Sequence, residues 1–524
     1  MIARVRVAIA PAGALVEHDR LWSALSAAFP ADFVAWDPQG ARPDGVIGIG
    51  DDGGAAVIAQ VPALAFPGPH EPLRGGPRTD VLLTATPLLD ARLHDVALED
   101  QDLAAPLVVG AGEVVLGATA AGEACWTRHP HEHAPIDRIA APLFALAPDA
   151  PLRTPLHGPR SLVLIALVAF LRAVAEPAGV QGPPVRATIL FDDPNLRRPT
   201  YGHIDFAALV RHADAHNYHA AMAMIPLDRH GAHGPTVRLF RQRADRVSLA
   251  FHGNNHEKRE LLQPRALPEA LALCAQALRR VQAFEAAEQL PVSRVMTAPH
   301  GMVSPATASA LGALPYDGLC AIHPFPWREE PIAGRPLAGW DPATFTEGCA
   351  VLPRVPLDWG PNGLALRAYL DQAIVLYGHH DDVASGLEPL AVAAQRVNRI
   401  GAVQWTSLGA IAQSSHRVHA LAGLAVVRPF ANRVVVTPPA GAQALTVMRP
   451  AEGGDVFTGW SLGSGTTVPF GDALPLVDDA PVTLRLHSRF ETPVGAVTDP
   501  PLRPWPAVRR IGTELRDRLA PLRG

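Results

Sequence analysis

Lysine is almost absent from this 524-residue chain. Of its 45 basic residues only Lys258 is a lysine, so the other 44 are arginines. The chain has no Gly-Lys-Ser/Thr triplet, which excludes a P-loop, and a Schiff-base mechanism would depend on Lys258 alone. The four cysteines lie far apart without the paired spacing of a zinc ribbon or a disulfide framework.

The charge balance and the apolar runs argue against two further classes of function. A net charge of −5 at pH 7 gives no broad attraction to nucleic acid or to an anionic membrane. The longest apolar run, Leu162 to Leu171, is too short to cross a bilayer and ends at Arg172. The N-terminal residues are typical of a strand rather than a signal peptide, so we expect a cytoplasmic protein without a membrane span.

A chain of this length is expected to form several domains. Strand and helix patterns alternate at first and again from about residue 184, whereas short strands separated by glycine and proline follow Ser414. The predicted parts are an α/β domain of flavodoxin or Rossmann type with a parallel sheet (1–155), a connecting helix and linker (156–183), a barrel (184–413), a β-sandwich-like domain (414–500) and a tail (501–524) with an amphipathic helix over Ala507–Leu519.

The barrel prediction depends on the number of alternating segments. The predicted strands are 187–191, 219–225, 247–251, 293–297, 318–322, 350–354 and 373–377. The predicted helices are 205–216, 266–288, 304–312, 364–371 and 387–398. This count favours seven or eight βα units. In the first domain we predict strands at 5–10, 45–50 and 81–84, an extended segment at 107–115, and helices at 18–28 and 55–60.

Three short motifs resemble functional signatures but stand in the wrong context. Gly48–Gly53 matches a dinucleotide fingerprint, yet it follows a second strand and holds two aspartates that would repel a pyrophosphate. His129–His133 is rich in histidine, but Pro130 and the polar setting favour a surface loop over a metal site. Gly459–Gly463 has the form of a nucleophile elbow, but no helical pattern follows Ser461, and we predict a β-turn.

The stretch from Ala187 to Asp193 is different, because a buried strand pattern runs directly into two carboxylates, Asp192 and Asp193. The carboxyl ends of strands are where α/β folds hold their chemistry. Two adjacent negative charges are unfavourable without a positive partner, and a metal ion is the simplest candidate.

Candidate partners for this ion follow about sixty residues later, after a second buried strand. This strand ends at His252, and His256 follows four residues on. Gly253 and the two asparagines after it permit a turn, so both imidazoles can converge on one ion. One carboxylate and two neutral imidazoles leave a divalent ion with open positions, which indicates a catalytic rather than a structural site.

Polar residues also follow three later strands of the predicted barrel. They are Pro299 and His300, Asp358 and Trp359, and His379. A single histidine at a strand end is more often a structural residue. Five polar strand ends within one domain predict a shared rim.

The ordered motifs resemble those of the polysaccharide deacetylase superfamily, the NodB-like proteins of carbohydrate esterase family 4. The motifs are Phe191-Asp192-Asp193, His252-x₃-His256, Ala298-Pro299-His300-Gly301, Asp358-Trp359 and Leu376-Tyr377-Gly378-His379. The resemblance covers about residues 185–412, under half of the chain. It implies a distorted (β/α)₇ NodB-like barrel and a divalent metal, most often zinc.

The resemblance also implies roles for individual residues. The implied metal ligands are Asp193, His252 and His256. Asp192 would be the general base and His379 the general acid, with Asp358 or Asp382 steadying the charge of the acid. Apart from the resemblance, the residues expected around the substrate and its oxyanion are Pro299, His300, Tyr201, His203 and Trp359, of which Tyr201 and His203 follow closely on the first motif. Tyr201 and His203 are interpreted equally well as loop residues that do not contact the substrate.

The chain departs from the family's pattern at three positions. Pro194 stands in place of the usual glycine after the aspartate pair, and His300 in place of an aromatic residue. Thr297 stands where the family has an arginine that orients the base. Arg294 and Arg354 are the candidates to replace that arginine.

The sequence therefore predicts a metal-dependent hydrolase that removes an acyl group from nitrogen or oxygen on a carbohydrate-like substrate. Hydrolysis of another C–N bond in a small molecule at the same metal is one alternative. A non-catalytic module that binds a glycan or a partner is another, and the missing motif arginine favours it. Retention of both Asp192 and His379 favours an enzyme, because a binding module needs neither.

Overall fold

A computed structural model describes the chain from Arg4 to Leu519, except for residues 51–59, 69–70, 72, 74–78, 131–133, 157, 159, 177–178, 265, 323–334 and 502–503. The chain forms two compact units, Met1–Ala178 with Glu330–Trp340, and Gly179–Glu329 with Asp341–Gly524. Both units combine helices with sheets. Within the described ranges, no helix has the length and apolar character needed to cross a membrane.

The first unit contains one large sheet and four described α-helices. Its strands are β1 (Val5–Ala10), β2 (Ala31–Ala35), β3 (Gly45–Ile49), β4 (Ala63–Phe66), β5 (Thr79–Leu83), β6 (Ala97–Asp100), β7 (Val114–Thr119), β8 (Ala124–His129) and β9 (Ile136–Ile139). Its helices are α1 (Gly13–Glu17), α2 (Asp19–Ala28), α3 (Arg153–Leu156) and α4 (Ser161–Ala175). The strand order is β2-β1-β3-β4-β9-β8-β7-β5-β6.

The parallel sheet expected for this unit is present in one half only. Strands β2, β1, β3, β4 and β9 are parallel, whereas β8, β7, β5 and β6 continue the sheet antiparallel. Only four residues connect β7 to β8, and so short a connection forces an antiparallel pair. The segment 107–115, predicted as extended, contains only the start of β7.

The helix expected to link two domains, α4, belongs to the first unit, where it contacts β4 and β6. Every residue from Leu162 to Val168 is buried, so this apolar segment is a core helix. Residues 55–59 of the predicted helix at 55–60, Asp51 to Gly53 of the glycine-rich motif and residues 131–133 of the histidine-rich motif lie outside the described ranges.

The second unit begins with a ten-stranded sheet. Its strands and the neighbouring hairpin are β10 (Val185–Asp192), β11 (Thr200–Tyr201), β12 (Ile204–Asp205), β13 (Ala220–Met224), β14 (Val247–His252), β15 (Val292–Thr297), β16 (Gly318–Ala321), β17 (Thr344–Thr346), β18 (Cys349–Pro353), β19 (Val355–Pro356), β20 (Ile374–Gly378) and β21 (Val403–Trp405). The helices between them are α5 (Phe206–His216), α6 (Gly234–Gln242), α7 (Leu267–Glu288), α8 (Pro305–Ala313), α9 (Pro361–Tyr369), α10 (Glu388–Asn398) and α11 (Leu408–Gln413).

The seven strand predictions for residues 184–413 are confirmed to within two residues at each end. The strand order is β17-β18-β16-β15-β14-β13-β10-β20-β19, with β21 beside β10, and only the β17–β18 pair is antiparallel. Helix α6 was missed, because its apolar residues are few and it begins with Gly234 and Pro235, which are typical of a loop.

Hydrogen bonding among the described residues does not close this sheet into a barrel. Its two ends are nevertheless formed by neighbouring segments. Strand β18 pairs with β16, and β19 pairs with β20, while Arg354 alone separates β18 from β19. The chain therefore changes from one end of the sheet to the other at Arg354.

Successive side chains of β10 point to opposite faces of the sheet and pack in two different core clusters of the second unit. Ile189 and Phe191 belong to a core cluster formed with the helices, whereas Leu190 belongs to a cluster that includes Trp460 and Leu484 from the C-terminal strands. Because both faces are buried, the apolar run of β10 is continuous rather than alternating with polar residues.

Two small sheets follow, as expected for an all-β region after residue 414. Their strands are β22 (His416–Leu421), β23 (Leu424–Pro429), β24 (Arg433–Val436), β25 (Ala444–Val447), β26 (Phe457–Leu462), β27 (Ala473–Pro475) and β28 (Val482–Ser488). Strands β22-β23-β25-β27 form one sheet and β24-β28-β26 the other. The last element within the described residues is α12 (Trp505–Leu519).

The Gly459–Gly463 motif lies mostly within β26, so the predicted turn at Ser461 is wrong and no elbow exists there. The Ser461 hydroxyl is 2.8 Å from His487 Nε2, and His487 Nδ1 is 2.8 Å from Glu491 Oε2. This chain of contacts has the composition of a catalytic triad. Ser461 is only 1% exposed and lies in a paired strand, where it is closed to a substrate carbonyl, so we interpret the contacts as a cross-strand network.

Helix α8 approaches the backbone of Gly348 at Gly312. A Cβ atom at residue 312 would lie 2.6 Å from the carbonyl carbon and oxygen of Gly348. We therefore expect Gly312→Ala to lower the free energy of unfolding of the second unit by about 1–3 kcal/mol, measured by urea denaturation. Gly512→Ala is the matched control, because that helical position has no atom within 4 Å of the new methyl group. Equal stability of the two variants would contradict the close approach.

Candidate metal centre

The two adjacent aspartates at the end of β10 have different backbone conformations. Asp192 is the last residue of the strand and pairs with Ala223 of β13. Asp193 has a φ of +82°, and its N–H donates a 3.2 Å hydrogen bond to the carbonyl of Ala223. The strand therefore ends between them, and the two carboxylates meet different partners.

A buried carboxylate organises the loop that carries the two histidines. Glu260 accepts hydrogen bonds from the backbone N–H groups of Asn254 (2.8 Å), Asn255 (2.7 Å) and His256 (3.0 Å). Glu260 itself is only 3% exposed. These three bonds hold His256 at a φ of +57°, and the sequence analysis did not identify Glu260.

Gly253 leaves the space that this loop needs. Its φ is +60°, and a Cβ atom there would lie 2.6 Å from Glu260 Oε2 and 2.7 Å from Pro299 Cγ. A larger residue would displace either the carboxylate that holds the loop or the proline of the next strand end. The glycine after His252 is therefore a requirement of the site.

Donor atoms of Asp193, His252 and His256 converge at these strand ends. Asp193 Oδ1 lies 3.5 Å from His252 Nε2 and 3.1 Å from His256 Nε2. Ligand atoms around a tetrahedral zinc ion, bonded at about 2.0–2.1 Å, are themselves about 3.3 Å apart. Asp193 Oδ1 is buried and takes no hydrogen bond from the described residues. The three residues therefore fit a divalent ion, and they form one of the groups able to hold one.

Thr297 fixes the tautomer of His252. The Thr297 hydroxyl donates to the carbonyl of Phe251 at 2.7 Å, so it must accept the proton of His252 Nδ1, 2.9 Å away. His252 Nε2 is then unprotonated on the side facing Asp193. A hydrogen bond of this kind behind a ligating histidine sets the ring orientation and raises its basicity.

Burial keeps the histidines of the group neutral. Desolvation lowers the pKa of His252, although the charges of Asp192 and Asp193 oppose it. Desolvation, with the repulsion of His252, lowers the pKa of His256 to about 4. Neutral imidazole is the form that binds a metal, so the two rings are ready to ligate at neutral pH.

Asp192 forms a buried ion pair with Arg354. Arg354 Nη1 donates a 2.8 Å hydrogen bond to Asp192 Oδ1, and the side chains are 1% and 4% exposed. Burial raises the pKa of Asp192, but the charge and hydrogen bond of Arg354 outweigh it and lower the pKa to about 2. Asp192 is therefore an ionised carboxylate throughout the neutral range.

Arg354 is the candidate arginine that the structure brings to the aspartate pair. Its guanidinium also donates to the carbonyl of Ala298 at 3.3 Å and lies 4.6 Å from the ring centroid of Tyr377. Arg294, the other candidate, forms an ion pair with Glu285. Thr297 stands where the resemblance leads us to expect an arginine, and Arg354, 57 positions later, contacts Asp192 instead.

The structure brings two more predicted residues to the same edge. His300 is exposed, has a φ of +59° and lies with its ring centroid 5.5 Å from that of His256. His379 is exposed and follows β20, which is paired in parallel with β10. A protonated His379 would lower the pKa of Asp192 and of His252.

The remaining predicted residues are in varied surroundings. Tyr201 is fully buried and donates to Asp517 at 3.0 Å, so its hydroxyl is already engaged. His203 lies with its ring centroid 5.7 Å from that of His380.

Asp358 is exposed, and its carbonyl accepts from Arg396. Trp359 packs partly buried against the core, and Pro299 is buried beside Gly253. Asp382 accepts from the backbone N–H of His379 at 2.6 Å.

Helix α12 contacts the backbone of two of the three candidate ligands. Arg510 donates to the carbonyl of Asp193 at 3.0 Å, to Asp228 at 2.7–2.8 Å and to the Tyr201 hydroxyl at 3.2 Å. Arg509 donates to the carbonyl of His256. Two of the three candidate ligands are thus held by a helix that begins more than 240 residues later, and sequence motifs gave no signal of it.

We expect Thr297→Val to weaken metal binding about 10–100-fold, because it removes the acceptor that fixes the His252 tautomer. The measurement is a competition titration of the purified protein with a chromogenic chelator. Thr188→Val is the matched control, since that threonine is equally buried and contacts His219 instead. Equal affinity of both variants would contradict the role of Thr297.

We expect Arg510→Met to raise the metal dissociation constant about tenfold or more, because Asp193 loses the bond that holds its carbonyl. Circular dichroism checks that the variant is folded. The control is Thr513→Ala, which changes a hydroxyl bonded only within α12, to the carbonyl of Arg509. Unchanged affinity in folded Arg510→Met protein would show that the helix does not support the centre.

No family model and no curated protein matches this chain. Among solved structures it is similar to Agd3, described as a novel carbohydrate deacetylase, at 10% identity and a TM-score of 0.48, over 93% of this chain and 99% of that one. It is also similar to a family 4 carbohydrate esterase from Streptomyces lividans in complex with acetate, at 12% identity and a TM-score of 0.24, over 42% and 88%. A third match is a CE4 family pseudoenzyme from Bacillus anthracis, BA3943, at 11% identity and a TM-score of 0.24, over 45% and 67%.

Proposed function

We propose that this protein is a metal-dependent hydrolase that removes an acyl group from nitrogen or oxygen on a carbohydrate-like substrate. The observation that carries the proposal is the convergence of Asp193, His252 and His256 within 3.1–3.5 Å, beside an ionised Asp192. A divalent ion held there, for which Zn²⁺ suits one carboxylate and two imidazoles, would supply Lewis acidity to a water and to the acyl carbonyl.

Asp192 is the proposed general base. It is adjacent to the proposed ligand Asp193 but is bonded to Arg354, so it is a carboxylate held in place without being a ligand. It would accept the proton of the attacking water as the water oxygen bonds to the acyl carbon. Arg354 is the proposed positioning residue, because it keeps Asp192 ionised and fixes one of its oxygens.

Proton delivery to the leaving group is assigned to His379, which is exposed at the same edge. As the C–N or C–O bond breaks, the imidazolium proton of His379 would pass to the departing amine or alcohol, and the acyl group would leave as a carboxylic acid that loses its proton to the solvent. Asp382, which accepts from the backbone N–H of His379, would steady it, and Asp358 is the second candidate. A backbone N–H near His300 would donate to the oxyanion.

We also propose that residues 184–413 form the distorted (β/α)₇ barrel that the motifs imply. Seven positions in the sheet are filled by parallel strands if β18 and β19 count as one strand interrupted at Arg354. The two halves of that strand pair with opposite ends of the sheet, which supports closure through a bend rather than through continuous hydrogen bonds.

We expect Asp192→Asn to keep metal binding and to lose about 10²–10⁴-fold in the rate of deacetylation, because it removes the base and leaves the ligands. Acetate release from acetylated mono- and oligosaccharides, as amides and as esters, measures activity, and elemental analysis measures metal. Asp193→Asn is the matched comparison one residue away, and it should lose metal and activity together. Full activity in Asp192→Asn would show that another residue is the general base.

The same measurements separate the two alternative functions. Release of ammonia or an amine from non-acylated C–N substrates, with the same response to Asp192→Asn, would favour hydrolysis of another bond. Binding of a glycan by metal-loaded protein with no turnover of any acetylated substrate would favour a non-catalytic module, and would contradict the proposed hydrolase.

A further inference from the structure

A second group of potential metal ligands lies in the same unit as the candidate metal centre. It consists of His203, in the turn between β11 and β12, and of His380 and Asp381, just after β20. One ligand atom from each lies within 4.8 Å of the others. None of these three residues takes part in the mechanism proposed above.

The distances within this group are those of ligands that share an ion. Asp381 Oδ1 is 3.1 Å from His380 Nδ1 and 3.9 Å from His203 Nε2. These values lie on either side of the separation of about 3.3 Å expected around a tetrahedral ion. The rings of His203 and His380 have centroids 5.7 Å apart, comparable with 5.0 Å for His252 and His256 in the first group.

His380 supplies an independent observation in favour of a ligand. Its side chain is 9% exposed, and its Nδ1 atom is buried without a hydrogen bond to any described residue, although Asp381 is close. A buried imidazole nitrogen without a partner is costly unless something else occupies the position. Gly202 allows this placement, because a Cβ atom there would lie 2.4 Å from His380 Cγ.

The other nitrogen of His380 faces a carboxylate. Asp517 of α12 has its Oδ1 atom 3.8 Å from His380 Nε2, and it is itself held by Tyr201 and Arg516. A carboxylate behind a histidine favours the tautomer with the proton on that side. In the neutral ring, Nδ1 of His380 is then the unprotonated atom, and it faces Asp381 Oδ1 at 3.1 Å.

We propose that His203 Nε2, His380 Nδ1 and the Asp381 carboxylate form a second divalent-cation site, separate from the Asp193 group. Two imidazoles and one carboxylate suit ions of the Zn²⁺, Co²⁺ and Ni²⁺ class rather than Mg²⁺ or Ca²⁺, which prefer oxygen ligands. The proposal does not depend on the proposed hydrolase activity, because the two sites share no ligand.

The test counts bound ions in the full chain. One background among the described residues must first be removed: His212 and His216 lie four residues apart on α5 with ring centroids at 4.3 Å, a spacing able to bind a cation. In a His216→Ala parent, metal-free protein is loaded with Co²⁺ and passed through a desalting column, and cobalt is measured by elemental analysis and by its visible absorption.

We expect two Co²⁺ ions in the parent and one after His203→Ala or Asp381→Asn. The Asp381 side chain is 76% exposed, so its substitution leaves the fold unaffected, and a circular dichroism melt verifies this. Glu388→Gln is the control for charge, since it removes another exposed carboxylate nearby and should leave two ions bound.

Asp193→Asn in the same parent distinguishes the two sites. Loss of one ion, followed by loss of the second when Asp381→Asn is added, supports both. A parent that binds one ion, lost in Asp193→Asn and kept in His203→Ala and Asp381→Asn, overturns the second site. A parent that binds one ion, lost in Asp381→Asn and kept in Asp193→Asn, supports the second site and overturns the metal-binding role of Asp193.

Discussion

The buried ion pair between Asp192 and Arg354 is the interaction on which the arrangement at the sheet edge depends. Removing one partner of such a pair leaves an uncompensated charge in the interior, at a cost of about 3–5 kcal/mol. Because Arg354 separates β18 from β19, the pair ties the end of β10 to the point where the chain changes sheet partner. It also makes two adjacent carboxylates unequal, since Asp192 has a cation of the protein while Asp193 lies between two imidazoles.

The ligand geometry is maintained by residues outside the ligand set. Asp193, His256 and His300 all have positive φ, a conformation that costs free energy in residues other than glycine. Glu260 holds the backbone N–H of His256, and Arg510 holds the carbonyl of Asp193. Such conformations persist only where neighbouring groups determine them, and here those groups come from a buried glutamate and from the last helix of the chain.

Helix α12 shows where amphipathic patterning misleads. Its polar residues Arg510, Glu514 and Asp517 are buried against the sheet edge, while apolar side chains face outward. The exposed apolar residues are Trp505, Val508, Ile511, Leu515 and Leu519. A pattern of this period predicts a helix but assumes that the apolar side is buried. Here the polar side is buried, because Asp228 and the carbonyl of Asp193 need donors, while Tyr201 and Arg197 need acceptors.

The sequence by itself determined the strands of the second unit, since apolar runs that are buried on both faces are continuous and have clear polar ends. It also indicated that the aspartate pair would meet His252 and His256, because parallel strands end at one edge, and the family resemblance singled out Asp193 as the ligand. Only the tertiary structure decided that Arg354 rather than Arg294 contacts Asp192, that Thr297 orients His252, and that His203 approaches His380. Those contacts join residues far apart in the chain, and no local pattern specifies which polar groups pair once the strands are packed.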